Sequence, residues 1–351
     1  MKLFDPINIG QKTSANRIMM PPCVVFGAAT RNGEIGEFRL NHYSQRAKDG
    51  VGTIVIEASA IDENYTICPD QVGIWSDAQI PGLKELARQI HQYESLCMVQ
   101  IHHAGANIST AAREEIPIGP SNGELRRPMR EASVAELEEI CAMYIAAAQR
   151  AQEAGFDGVE IHGAHNYLLT QMASPLLNKR TDAYGGTLEK RLKLAIDVLQ
   201  GIRAKCGEAF IVGIRMGANE PTYDEGIAIA GLYEQNGADY LSVSSGFGEA
   251  SSLPPPPEDF PYNNTVYGGA LVKKHSQGVP VILVNNILTA QRGEWLLQNG
   301  HGDMVAYGKP ILATPDFVSR AKTSPDNNND CLGCRPCVWF SNFTKCPLVG
   351  A

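Results

Sequence analysis

Short apolar runs alternate along this chain with longer amphipathic stretches. Eight runs have the length and composition of buried strands: residues 17–20, 52–57, 96–101, 158–161, 210–215, 240–244, 280–284 and 303–307. Between them, apolar positions recur at helical spacing over residues 35–48, 80–93, 133–154, 188–206, 225–236, 266–277 and 289–299. Ser133 followed by Glu136 forms the signature of a capping box, which sets the start of the longest helix. Eight strands alternating with helical stretches, seven of them lying between the strands, predict an α/β fold closed into a (β/α)8 TIM barrel rather than an open sheet. The barrel is expected to occupy residues 1–323. The polar stretch 324–330, Ser-Pro-Asp-Asn-Asn-Asn-Asp, reads as a linker into a cysteine-rich tail that makes up the rest of residues 324–351.

Bulk composition supports a globular enzyme-sized domain and narrows its partners. The chain has 351 residues, of which 44% are apolar, enough for one barrel and its core. A net charge of −8 and a pI near 5.5 argue against a nucleic-acid-binding face. No basic run adjoins an apolar helix, so membrane docking is not expected. Residues 1–10 lack an apolar core of signal-peptide length, and a cytoplasmic protein is expected. Five of the nine cysteines, Cys23, Cys68, Cys97, Cys141 and Cys206, are scattered. Cys331, Cys334, Cys337 and Cys346 are bunched, which fits metal ligation in a reducing compartment better than disulfides.

The chemistry concentrates after the fourth strand, in His162-Gly163-Ala164-His165-Asn166-Tyr167. In a barrel of this type the C-terminal strand ends carry the active site. Two imidazoles three residues apart can donate hydrogen bonds to a carbonyl oxygen that gains negative charge, and a phenol nearby can supply a proton. His-x-x-His also occurs in metal sites, and His102-His103 end a neighbouring strand. Such a metal barrel would want a His-x-His after strand one and a carboxylate after strand eight; here those places hold prolines and Gly-Lys. Structural histidines satisfied within the core are the plainest alternative.

Several ordered stretches resemble the Old Yellow Enzyme family of flavin-dependent ene-reductases across nearly the whole barrel. They are Leu3-Phe4-Asp5-Pro6, Asn16-Arg17-Ile18-Met19-Met20-Pro21-Pro22, the His162–Leu168 stretch, Asn178-Lys179-Arg180-Thr181-Asp182-Ala183-Tyr184-Gly185-Gly186 with Arg191, and Asp303-Met304-Val305-Ala306-Tyr307-Gly308-Lys309-Pro310. The resemblance implies FMN at the C-terminal mouth and hydride transfer to the C=C bond of an α,β-unsaturated carbonyl compound. In that reading His162 and His165 bind the carbonyl and Tyr167 is the proton donor. Pro21, Pro22 and Cys23 pack along the flavin ring, and Ala58 leaves it room. Gln100 meets the pyrimidine edge, and Arg215 supplies positive charge beside it. Asn285, Asn286, Gly308 and Lys309 take the phosphate end. Asn285 stands where the family usually has glycine, and asparagine tolerates positive φ. Lys309 stands for the usual arginine and meets phosphate as a point charge rather than a fork.

The Cys-x2-Cys-x2-Cys-x8-Cys-Pro tail resembles the cluster segment of 2,4-dienoyl-CoA reductase and trimethylamine dehydrogenase. That implies a 4Fe-4S cluster on Cys331, Cys334, Cys337 and Cys346, with zinc or an empty thiol loop as alternatives. The sequence lacks a Gly-x-Gly-x-x-Gly fingerprint, so NAD(P)H is expected to act transiently at the flavin face, or a protein donor to replace it. A homo-oligomer is expected. Two further readings stay open at this point: amine oxidation of the trimethylamine dehydrogenase kind, and a non-catalytic flavin or iron–sulfur electron carrier.

Overall fold

The computed structural model describes residues 1–348 apart from 29, 31, 110–115 and 248–251. Eight parallel strands close into a barrel: β1 (Ile18–Met20), β2 (Thr53–Ala60), β3 (Leu96–His102), β4 (Gly158–Gly163), β5 (Ile211–Gly217), β6 (Tyr240–Ser244), β7 (Val281–Val284) and β8 (Met304–Ala306). Each strand pairs with its neighbour in sequence and β8 returns to β1. The helices α1 (Glu37–Lys48), α2 (Ile80–Ile90), α3 (Val134–Glu153), α4 (Leu188–Cys206), α5 (Tyr223–Gln235), α6 (Asn264–His275), α7 (Ala290–Gln298) and α8 (Phe317–Thr323) follow the strands. The expected barrel is therefore the observed one. Ser133 caps α3 through the reciprocal bonds its sequence predicts, with Glu136 N–H donating to its hydroxyl at 3.2 Å and Ser133 N–H to Glu136 Oε2 at 2.8 Å.

Alternation along each strand divides the apolar side chains into two cores. Outward positions such as Val99, Ile101, Val159, Ile161, Val212, Ile214, Leu241 and Val243 pack under the helices. Inward positions form a separate cluster of Met19, Val55, Met98, Ile211, Tyr240, Ile282 and Met304 with Ile9. Ile9 comes from a short hairpin, Ile7–Ile9 with Lys12–Ser14, and is itself buried with the inward cluster. Tyr240 lies across Gly213, where any Cβ would overlap its ring, so this strand position must stay glycine.

Moving up the strands, the inward positions change from apolar to polar. Gln100 is in register with Glu160, His162 with Arg215, and Arg215 with Ser242. The polar end is the C-terminal mouth, where such barrels carry their sites. The loops after β1 and β2 are tied there by a buried ion pair. Arg39 Nε meets Glu57 Oε1 at 2.7 Å, its other nitrogens donate to the carbonyls of Ala28 and Asp70, and Glu57 Oε2 accepts from Val25 N–H at 2.9 Å.

The C-terminal segment packs onto the barrel. Asn328 is buried and accepts a hydrogen bond from Ala290 N–H at the start of α7. Trp339 is buried, and its indole N–H donates to the Val24 carbonyl at 3.1 Å. Phe343 N–H donates to the Phe26 carbonyl at 2.8 Å. This packing bears on the expected metal site. Cys337 and Cys346 turn against the apolar core, while Cys331 lines a cavity. Among the described residues no three His, Cys, Asp or Glu side chains gather as a metal-holding group, so the structure lends no support to an iron–sulfur or zinc centre on Cys331, Cys334, Cys337 and Cys346. The two buried aromatic anchors, Trp339 and Phe343, tie the path of the tail to the barrel.

Candidate active site

The turn after β4 presents the central side chains. His165 and Asn166 both lie in the left-handed region, at φ +63° and +62°. Two consecutive non-glycine residues there cost of order 1–3 kcal/mol each, a strain that tends to mark functional turns. The turn folds His165 back beside His162, and Tyr167 then starts the short helix Leu168–Ala173.

The imidazoles form a continuous hydrogen-bonded chain across the mouth. His102 Nδ1 lies 3.0 Å from His162 Nδ1, His162 Nε2 lies 2.8 Å from His165 Nδ1, and His165 Nε2 lies 2.7 Å from Ser244 Oγ. Arg215 completes it, donating to Ser244 at 3.4 Å and to Ser242 at 3.3 Å. Arg215 can only donate. The Ser244 hydrogen is then free for His165 Nε2, and the protons align from Arg215 toward His102. The opposite order leaves the Ser244 hydrogen without an acceptor among the described groups. The terminal His102 Nε2 is buried and unpartnered.

Burial keeps these rings neutral. It holds His162 well below the usual imidazole range, and the nearby Arg215 guanidinium, with coupling to His102 and His165, works in the same direction. Burial likewise pushes His102 and His165 down to about 3. The Tyr167 ring stands edge-on to His102 and His162, with centroids 4.4 and 5.0 Å away. Its phenol is pushed above the ordinary range, chiefly by burial, so it keeps its proton. The three histidines bond one another rather than converge on a common point, and among the described residues they form no metal group. The metal reading of His-x-x-His therefore finds no support.

Beside this chain lies a cavity of about 590 Å³. Arg215 and Ser244 line it, and so join it to the imidazoles. Pro21, Cys23, Asn285, Asn286, Gly308 and Lys309, expected at the cofactor, also line it. Asn285 and Asn286 adopt positive φ, +101° and +53°, as a turn after β7 built without glycine requires. Pro22, Ala58 and Gln100 do not line it. Ala58 packs with Val24 and Cys68. Gln100 donates to Glu160 Oε1 at 2.7 Å, and Tyr240 holds the other oxygen at 3.0 Å. Cys23 is a neutral thiol, pushed up to about 12 mainly by burial.

The lining fits a flavin phosphate ester. Its charged residues are Arg215, Lys309 and Arg335, with no carboxylate among them. Arg215 is buried, makes only its two long bonds to serines among the described residues, and leaves Nε unpartnered there, so it has capacity for an anionic ring edge. A Cβ on Gly308 would point at Cys23 Sγ and Pro21 Cγ, 3.7 Å from each, into the wall of the cavity.

The sequence profile of the NADH:flavin oxidoreductase / NADH oxidase family matches residues 2–328. The chain belongs to this family. It is thus an enzyme of the NAD(P)H–flavin oxidoreductase class. It is 34% identical over 331 residues to an NADPH dehydrogenase of Clostridium acetobutylicum, covering 91% of this chain and 94% of that protein. It is 33% identical over 345 residues to an NADH oxidase of Thermoanaerobacter brockii, covering 95% of this chain but only 52% of that protein. The chain thus spans about half the length of that relative. Among solved structures it resembles an Old Yellow Enzyme homologue from Zymomonas mobilis at a TM-score of 0.83 and 26% identity, covering 99% of this chain and 100% of that one. It also resembles a 2-naphthoyl-CoA reductase in complex with 2-naphthoyl-CoA, at a TM-score of 0.87 and 25% identity over 97% of this chain and 56% of that one. Among the described residues no helix is long and apolar enough to cross a membrane.

Sequence reading meets His102 only as part of the metal alternative, and overlooks Ser244 and Arg335. Inward alternation from Gln100 to His102 and from Ser242 to Ser244 carries a signal for the first two. Arg335 lies among the cysteines, whose spacing points to a different chemistry.

Proposed function

We propose that this protein is an FMN-dependent ene-reductase acting on α,β-unsaturated carbonyl compounds, with NAD(P)H as the electron source. The observation that carries the reading is the unbroken path from the cavity wall through Arg215 and Ser244 to His165 and His162. It brings a cationic flavin-edge group, neutral imidazole donors and a protonated phenol to one mouth.

Pro21, Cys23, Asn285, Asn286, Gly308, Lys309 and Arg215 would hold FMN, whose reduced form supplies the hydride. His162 and His165 bind the carbonyl oxygen through N–H groups. Because the rings are neutral, they stabilise developing negative charge without first losing a proton themselves. Binding one oxygen with both rings requires their mutual hydrogen bond to open, which frees the His165 Nδ1–H, and requires the His162 Nδ1–H to leave His102 as well. Tyr167 delivers a proton to the carbon beside the carbonyl, and burial keeps that proton in place until it is needed. Arg215 at the mouth disfavours a cationic amine as substrate.

The test is anaerobic reoxidation of the reduced, FMN-loaded protein against a panel of enones, enoates and enoyl thioesters. Reoxidation coupled to saturation of the C=C bond is the expected result. A protein that cannot take up FMN, or that reduces none of the panel, contradicts the proposal.

A further inference from the structure

The flavin cavity has a wall that the barrel does not supply. Cys331, Gly333, Arg335 and Phe340 line it from the C-terminal segment. This stretch is strung between two anchors: buried Asn328, bonded to Ala290 N–H and to the Phe317 carbonyl, and buried Trp339, bonded to the Val24 carbonyl. Arg335 lies between those anchors and faces the same cavity as Lys309. Among the described residues neither cation has a carboxylate within ion-pair distance, although the chain carries 38 acidic residues that could have supplied one.

Two cations face one polar cavity unneutralised, and the loop bearing one of them is fixed at both ends. We propose that the C-terminal segment is a clasp over the cofactor and that Arg335 is a second cationic ligand of the FMN phosphate. This rests on the reading of the cavity as the FMN site. Lys309 meets phosphate as a point charge; a guanidinium offers the planar, bidentate contact that lysine lacks. Arg335 restores from the tail what the turn after β8 does not provide.

Riboflavin, which has the ring and ribityl chain but no phosphate, separates phosphate recognition from any general effect of the tail. Full-length protein is stripped of flavin and titrated with FMN and with riboflavin, following quenching of flavin fluorescence. Arg335→Ala is expected to weaken FMN by about ten- to a hundredfold, the range for losing a charge-assisted bond. Riboflavin affinity should stay within about twofold, and Arg335→Lys should recover part of the FMN loss. Unchanged FMN affinity, or equal losses for both flavins, overturns the assignment of Arg335. If the unsubstituted protein binds neither flavin, the reading of the cavity itself fails, and the two failures are distinguishable. Matching thermal unfolding of the flavin-free proteins excludes a folding defect as the cause of any loss.

Discussion

Nε2 of His162 lies 2.8 Å from Nδ1 of His165, so the two imidazoles satisfy each other before any substrate arrives. A carbonyl oxygen must compete with this bond, and the two rings act as one unit. Groups that share a hydrogen bond show non-additive substitution effects. Phenols that mimic the enolate should bind to the FMN-loaded protein and give a long-wavelength charge-transfer band. His162→Ala and His165→Ala should each weaken the phenol by tenfold or more, and the double variant by clearly less than the product of the two. Strictly multiplicative losses would contradict a coupled pair.

Tyr167 stands edge-on to His162 and carries a firmly held proton. Tyr167→Phe should slow reoxidation by an enone by about a hundredfold or more, within the usual range for losing a general acid. Reduction of the flavin by NAD(P)H should be nearly unaffected. Rapid-mixing measurement of the two half-reactions checks this, and equal slowing of both would remove the proton-donor role.

Acid should destabilise the fold well before its carboxylates titrate. His42, His102, His103, His162 and His165 are all held below the ordinary imidazole range, mainly by burial. The unfolded chain therefore binds more protons than the folded one below about pH 6.5. Their stabilisation is complete above that pH and is lost as pH falls toward the folded values, about 3 for His102, His103 and His165. Buried Glu160 and Glu220 are shifted upward and oppose the trend, but they are fewer. The melting temperature should fall steadily from pH 7.5 to 5.5 with net proton uptake on unfolding. A flat profile would mean that these histidines already share a proton in the folded state.

The Arg39–Glu57 pair ties the loops after β1 and β2 that border the cavity. Arg39→Met leaves a buried carboxylate without its partner, which costs about 3–5 kcal/mol. Denaturant unfolding should register that loss, and FMN affinity should fall with it, because Cys23 lies on the same loop. A loss below about 1 kcal/mol would show that water or a neighbouring donor replaces the guanidinium.

The barrel was legible because the apolar alternation along each strand reports two cores at once. Residues 188–206 read as a helix and form α4 without shift, and the Ser133–Glu136 cap appears as its spacing dictates. The N-terminal hairpin was not legible, since strands of three residues are too short to display a period. At the site, the sequence brings His162, His165 and Tyr167 together, but not the pairing of the two histidines with each other or the entry of His102 from β3. Those depend on register between strands about 60 residues apart. The packing of the tail was not legible for a similar reason. Cysteine spacing is a local signal, whereas Trp339 and Phe343 bind the segment to residues more than 300 positions away.

The most direct measurement is the fate of the reduced flavin. Protein loaded with FMN, photoreduced without oxygen and mixed with a cyclic enone should regain the absorbance of oxidised flavin while the enone is saturated mole for mole. Flavin that stays reduced against every unsaturated carbonyl compound, yet reoxidises promptly in air, would contradict the proposed reaction.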